Sequence, residues 1–152
     1  MQTLLAIGVF CAVLGAAAAV DVARDRIPNL LPPLLALGAV LVLPRTEAEW
    51  LSRGASFAIV SVTVLVLYLA RGLGGGDVKL LAAASLWMPL ATLPVFALAL
   101  AMAGGLQGAA TLAARRVRRQ AVGARRGRSM PYGLSIAAAG FVWAWVRWRS
   151  SG

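Results

Sequence analysis

The sequence contains no histidine, a single cysteine and only five acidic residues among 152. Without histidine, a His-based nucleophilic triad and a His-ligated metal site are excluded. The one cysteine, Cys11, can form neither an internal disulfide nor a paired-cysteine zinc site. Charged residues make up 13% of the chain, whereas a soluble globular domain carries about 25%. The few carboxylates therefore stand out as candidates for proton chemistry.

Apolar residues, in contrast, make up 61% of the chain, a share that is typical of a membrane protein. Charges divide the sequence into apolar stretches at 2–20, 30–44, 54–70, 80–114 and 131–146. The stretch at 80–114 is too long for one ordinary span, and Pro89 and Pro94 predict a turn near its middle. We therefore predict an all-α, polytopic membrane protein with about six transmembrane helices, forming a single domain over 1–152.

The net charge is +10, and seven arginines lie in the segment 115–128. In a soluble protein such a cluster suggests nucleic-acid binding. Between apolar spans it instead favours a cytoplasmic loop that obeys the positive-inside rule and meets anionic membrane lipids. With six spans, the loops at 21–29, 71–79 and 115–128 share one side and hold eleven of the fifteen basic residues. We therefore predict lipid contacts there, no nucleic-acid partner, and both chain ends outside the cytoplasm.

Two of the five acids lie at the cytoplasmic edge of these apolar stretches. Asp77 follows the glycines Gly74, Gly75 and Gly76, and Asp21 follows the first apolar stretch. Acids near membrane spans are commonly functional, because a carboxylate at a helix centre costs about 2.5–3.5 kcal/mol. Two neighbouring carboxylates can share one proton, so that one activates water while the other donates to a substrate carbonyl. This is the chemistry of aspartic peptide hydrolysis, and it needs no metal or cofactor.

Each acid also has a purely structural interpretation. Asp77 precedes a helix and can serve as its N-cap, and Asp21 can end a span in the headgroup layer. Asp25 lies between two arginines and is interpreted as a solvated charge, while Glu47 and Glu49 are interpreted as part of a polar loop on the other side. The same acids would also suit a proton-coupled transporter.

The glycine motif carries a resemblance to a known family. The run Gly74-x-Gly76-Asp77 resembles the GxGD signature of type IV prepilin peptidases. Presenilin-type and signal-peptide-peptidase-type enzymes also carry GxGD, but they are larger and pair it with a Tyr-Asp motif, which this chain lacks.

Two further motifs resemble the same family. Asp21 stands seven residues before Pro28 in an Ile-Pro-Asn element, which is similar to the family's first motif. The segment 130–133, Met-Pro-Tyr-Gly, resembles the Pro-Tyr-Gly segment that opens the family's last helix. The resemblance implies that Asp21 and Asp77 are the catalytic pair. Asp25 lies only three residues before Pro28 and misses the spacing.

The implied substrate is a prepilin, with a short leader, a glycine before the cut and an apolar helix after it. The chain length and the Ile-Pro-Asn form resemble the small branch that serves Flp pili of tight-adherence systems. The implied location is the bacterial inner membrane, with the active site facing the cytoplasm. Larger members carry an N-terminal region with paired cysteines linked to N-methylation, so we expect no methyltransferase activity here. A proton-coupled transporter or a pilus-assembly binding subunit is the alternative.

The neighbours of the two acids are expected to shape the site. The three glycines at 74–76 would let a substrate backbone approach closely. Lys79 would lower the Asp77 pKa, hold a lipid phosphate or snorkel at the helix start. Pro28 and Asn29 would shape the start of the second span and position Asp21.

Overall fold

A computed structural model of the chain describes residues 2–24, 28–43, 46–70, 73–120 and 132–150. These residues form six α-helices and one 3₁₀ turn, Leu90–Thr92, which directly precedes the fifth helix. The helices are α1 (Gln2–Arg24), α2 (Leu31–Val42), α3 (Glu47–Leu69), α4 (Gly75–Ser85), α5 (Leu93–Gln120) and α6 (Tyr132–Ser150). The predicted all-α class with about six helices is confirmed.

Three segments are long and apolar enough to cross a bilayer: Leu4–Asp21, Glu47–Leu69 and Leu90–Ala113. They make the chain a membrane protein. Helix α2 is apolar but has only 12 residues, and α4 has 11. At 1.5 Å per residue, α4 covers about 16 Å, roughly half of the hydrocarbon thickness of a bilayer.

Close contacts through glycine hold the bundle together. A Cβ placed on Gly140 in α6 would overlap Leu14 of α1 and would lie 3.2 Å from the Phe10 ring. A Cβ on Gly38 in α2 would lie 3.0 Å from the ring of Trp87, which follows α4. Small residues of this kind let membrane helices approach closely. The α1–α6 and α2–α4 pairs are therefore closely packed at these glycines.

Aromatic rings fill the centre of the bundle. The Phe10 ring lies 5.2 Å from the centroid of Trp87 and 5.2 Å from that of Trp143. The buried Trp87 indole Nε1 donates to the Leu35 carbonyl at 2.9 Å. This polar atom is thus satisfied within the core, and helices α1, α2 and α6 meet the segment after α4 at one aromatic cluster.

Interhelical hydrogen bonds show which termini lie together. The Gly133 N–H, at the start of α6, donates to Asp21 near the end of α1. Lys79, in the first turns of α4, donates to Asn29, which precedes α2. These four residues define the carboxylate end of the bundle.

The opposite end is defined in the same way. The Trp143 Nε1 donates to Thr92 Oγ1 at 3.0 Å and joins the C-terminal half of α6 to the 3₁₀ turn before α5. The Leu90 N–H donates to Ser52 Oγ at 2.8 Å, which places the start of α3 at this same end of the bundle. Helix directions therefore alternate, and the connections before α2 and α4 lie at one end.

The structure corrects the interpretation of Glu47 and Glu49. They lie in the first turn of α3 rather than in a loop, and the helix begins at Glu47 rather than at 54. Carboxylates are favoured at this position because the helix macrodipole is positive at its N-terminus. The next turn carries Arg53, whose side chain is fully buried and whose Nη1 lies 3.9 Å from the Glu49 carboxylate.

The arginine segment 115–128 also differs from the predicted loop. Helix α5 continues to Gln120, so the first four of the seven arginines in this segment are helical. The remaining three lie outside the described residues. Arginine is a good helix former, which explains why the charges do not end the helix.

The α1–α6 contact generates a stability prediction. Gly140→Ala is expected to lower the free energy of unfolding by about 1–3 kcal/mol, because its Cβ would overlap Leu14. Gly8→Ala, also within a helix but with open space around its Cβ position, is the control. It should be neutral or stabilising by up to about 1 kcal/mol. Thermal unfolding in detergent measures both variants, and equal shifts would contradict the close α1–α6 contact.

Candidate active site

Asp77 is the third residue of α4, and its side chain is only 9% exposed. The N-cap is Gly74, so the interpretation of Asp77 as the N-cap is wrong. Instead, the Asp77 carboxylate turns back and accepts a hydrogen bond from the Gly74 backbone N–H. This is one half of a capping box, in which an acid at the third position satisfies the N-cap amide. A Cβ on Gly74 would lie 2.9 Å from Asp77 Oδ2, so the absence of a side chain at Gly74 leaves room for the carboxylate.

Asp21 lies in the last turn of α1 and is 6% exposed. Its Oδ2 accepts a hydrogen bond of 2.8 Å from the Gly133 N–H, in the first turn of α6. Amides in this turn have no partner within their own helix, and the macrodipole there favours negative charge. Asp21 is therefore held inside the protein rather than exposed in the headgroup layer.

The two carboxylates are thus held by the same kind of hydrogen bond. Each accepts a backbone N–H from a glycine at the start of a helix, Gly74 for Asp77 and Gly133 for Asp21. A Cβ on Gly133 would lie 2.7 Å from Asp21 Oδ2, which leaves no room for a side chain. Sequence reasoning did not include Gly133 among the site residues, although the Met-Pro-Tyr-Gly segment contained the signal.

The two acids also interact electrostatically. Asp77 lies outside the three candidate spans, and its burial, followed by the charge of Asp21, raises its pKa to about 6. The hydrogen bond from Gly74 opposes this shift. Around mildly acidic pH, part of the Asp77 population therefore keeps its proton next to a second acid. Such a pair combines a proton donor and a proton acceptor in one place.

Two of the predicted neighbours are hydrogen-bonded to each other. The exposed Lys79 Nζ donates to Asn29 Oδ1 at 3.1 Å, which ties the start of α4 to the connection before α2. The Pro28 carbonyl accepts the Leu31 N–H at 3.2 Å, where α2 begins. Asn29 is thus the partner that the structure gives to Lys79.

Gly75 and Gly76 are the remaining predicted positions in the glycine motif. A Cβ on Gly75 would make only an ordinary 3.8 Å contact with Tyr68, and Gly76 is half-buried in the first turn of α4. Asp25, together with residues 130 and 131 of the last motif, lies outside the described residues. Among the residues that the structure describes, no three metal-ligating side chains cluster together.

Comparison with known proteins gives one match. The model of a family described as the type IV leader peptidase family matches residues 8–109, about two thirds of the chain. The matched region contains both Asp21 and Asp77, whereas Gly133 lies beyond it. No curated protein and no solved structure matches the chain.

The coupling between the two acids generates a testable titration. Asp21→Asn is expected to lower the pKa of Asp77 from about 6, because the neighbouring charge is removed while the burial remains. NMR of ¹³C-labelled aspartate between about pH 4 and pH 8 follows this titration. Glu47→Gln, in the first turn of α3 and remote from the carboxylate end, is the control and should leave it unchanged. An unaltered Asp77 titration in Asp21→Asn would mean that the acids do not interact.

Proposed function

Because this chain belongs to the type IV leader peptidase family, we propose that it is an aspartic endopeptidase that removes the leader from type IV prepilins. The observation that carries this proposal is the pair of buried carboxylates, Asp21 and Asp77, at one end of the helix bundle. Each is oriented by a backbone amide, and their charges interact. The alternative of a proton-coupled transporter gains no comparable support from the family match.

The proposed reaction uses one proton and one water molecule. Asp21, in the role of general base, removes a proton from water, and the resulting hydroxide attacks the scissile carbonyl carbon. Protonated Asp77 donates to the carbonyl oxygen, so that a neutral tetrahedral intermediate forms. The carbon–nitrogen bond then breaks, the leaving amine takes the proton held by Asp21, and a hydroxyl proton of the intermediate returns to Asp77. Both carboxyls end in their starting states.

Charge distribution supports a cytoplasmic position for this site. The carboxylate end carries Lys79, and the arginine-rich C-terminal turns of α5 run toward the same end. Basic residues flanking membrane helices are concentrated on the cytoplasmic side, where they also meet anionic lipids. The site would then face the cytoplasm of a bacterium, at the inner membrane, where a prepilin leader is exposed.

Two further proposals concern the type of prepilin that is cleaved and whether the enzyme also methylates its product. The Ile-Pro-Asn form of the motif around Asn29 supports a prepilin of the Flp type. The one cysteine, Cys11, lies half-buried within α1 and has no second cysteine to pair with. This supports a peptidase that does not methylate the new N-terminus of its product.

The central test is cleavage of a candidate Flp prepilin in membranes. Asp21→Asn and Asp77→Asn are each expected to lower the cleavage rate by about 10²–10⁴-fold, the usual contribution of a general acid or base. Asp25→Asn and Glu47→Gln should retain cleavage. Mass spectrometry of the product should show an unmethylated N-terminus, even when a methyl donor is present. Full cleavage by the double variant Asp21→Asn/Asp77→Asn would refute the mechanism.

A second test addresses how Asp21 is held. Gly133→Ala should displace the Asp21 carboxylate, because the new Cβ would lie 2.7 Å from Oδ2. A displacement of about 1 Å can lower the rate by about 10²-fold. Gly54→Ala in α3, whose Cβ position is open, is the matched control and should cleave normally. Normal cleavage by Gly133→Ala would show that this hydrogen bond does not position Asp21.

A further inference from the structure

An apolar groove of about 270 Å³ lies between α3 and α5. Helix α3 packs mainly on α4, and α5 packs mainly on α6. The two helices therefore form the walls of the groove, while Leu81 of α4 and Ile136 of α6 contribute to its floor. Almost all of the lining surface is apolar, so the groove suits a hydrocarbon or a helix face rather than a polar metabolite.

The walls have the regular spacing of two helix faces. The main lining positions are Val60, Val64 and Leu67 on α3, and Phe96, Leu100 and Gly104 on α5. On α5 the lining runs from Leu93 to Gly104, which corresponds to about 16 Å or three helical turns. Small residues interrupt both walls: Thr63 on one side, Ala97 and Gly104 on the other. Small residues on a helix surface let a second membrane helix approach closely.

One end of the groove reaches the candidate active site. Leu73 lines the groove and directly precedes Gly74, the amide donor to Asp77. Ser135, in the first turn of α6, also lines it. A molecule lying in the groove therefore ends close to Asp77, because Leu81 of the groove floor lies one turn after Asp77 on the same face of α4. The charge of Asp21 acts on that same carboxyl. A bilayer lipid filling a crevice has no need of this continuity, whereas a membrane-embedded peptide substrate requires it.

We propose that this groove binds the apolar helix that follows the scissile bond in the substrate. The inference rests on the proposed function and extends it by naming where the substrate is held. The substrate helix would place one face between α3 and α5, with side chains at i, i+3, i+4 and i+7 as anchors. Its N-terminal end would leave the groove at the carboxylate end, where Asp21 and Asp77 meet the peptide bond. Side-chain packing along the groove would thereby select an apolar helix and set the position of the cut.

Glycines 104 and 105 provide a matched pair of variants. Both are helical residues with no atom within 4 Å of a Cβ position, but only Gly104 lines the groove. Gly104→Trp should fill the groove and raise the KM for a full prepilin by about tenfold or more. Gly105→Trp should leave the KM unchanged. A short peptide that carries the cleavage site without the apolar helix should be cleaved equally by both variants and by the unaltered enzyme. Equal KM values of both variants for the full prepilin would overturn the proposal.

Crosslinking tests the groove independently of catalysis. A photoreactive amino acid at Ala97, which lines the groove, should crosslink to the prepilin helix, whereas one at the lipid-facing Leu98 should not. Crosslinks at Ala97 to lipid alone, in the presence of prepilin, would overturn the proposal. If the unaltered enzyme cleaves neither substrate, the proposed function fails, and Ala97 crosslinking still decides whether the groove binds an apolar helix. If cleavage is normal and Ala97 does not crosslink to prepilin, only the groove proposal fails.

Discussion

The structure depends on providing hydrogen-bond donors for two carboxylates that are buried in an apolar bundle. A buried acid without a partner is strongly disfavoured, and this chain has no histidine and few polar side chains to serve as partners. Backbone amides at helix starts fill that need, because the first turn of a helix leaves its N–H groups unpaired. Asp77 uses the amide of Gly74 at the start of its own helix, and Asp21 uses that of Gly133 at the start of a different one. The second contact links the first helix to the last.

That link requires precise alignment of α1 with α6. Leu14 lies seven residues before Asp21, and Gly140 lies seven residues after Gly133. In an antiparallel pair, two positions seven residues apart fall on the same face, about 10 Å apart along the axis. The Leu14–Gly140 contact therefore fixes the register in which Asp21 meets Gly133. Core packing two turns from the candidate site thus sets the geometry of the carboxylate.

These contacts also explain what the sequence could and could not predict. Apolar runs and charges predicted six helices, and motif spacing chose Asp21 and Asp77, which the structure brings into electrostatic contact. The donor Gly133 was missed because it lies 112 residues from Asp21: its motif marked the start of the last helix but did not show which acid its amide would meet. Glu47 was misassigned because a charge can end a membrane span and still begin a helix, where the macrodipole favours it.

The depth of the two acids in the membrane explains how they can be buried and still reach the water that hydrolysis needs. Asp21 is the last residue of the candidate span Leu4–Asp21, and Gly75 lies beside Tyr68, near the end of the span Glu47–Leu69. Both acids are thus buried by protein at the depth where the spans end, rather than at the bilayer centre. Protein contacts raise the pKa of Asp77, while the membrane edge supplies the water that hydrolysis consumes. A carboxylate pair deeper in the bundle would also have a raised pKa, but it would lack this supply of water.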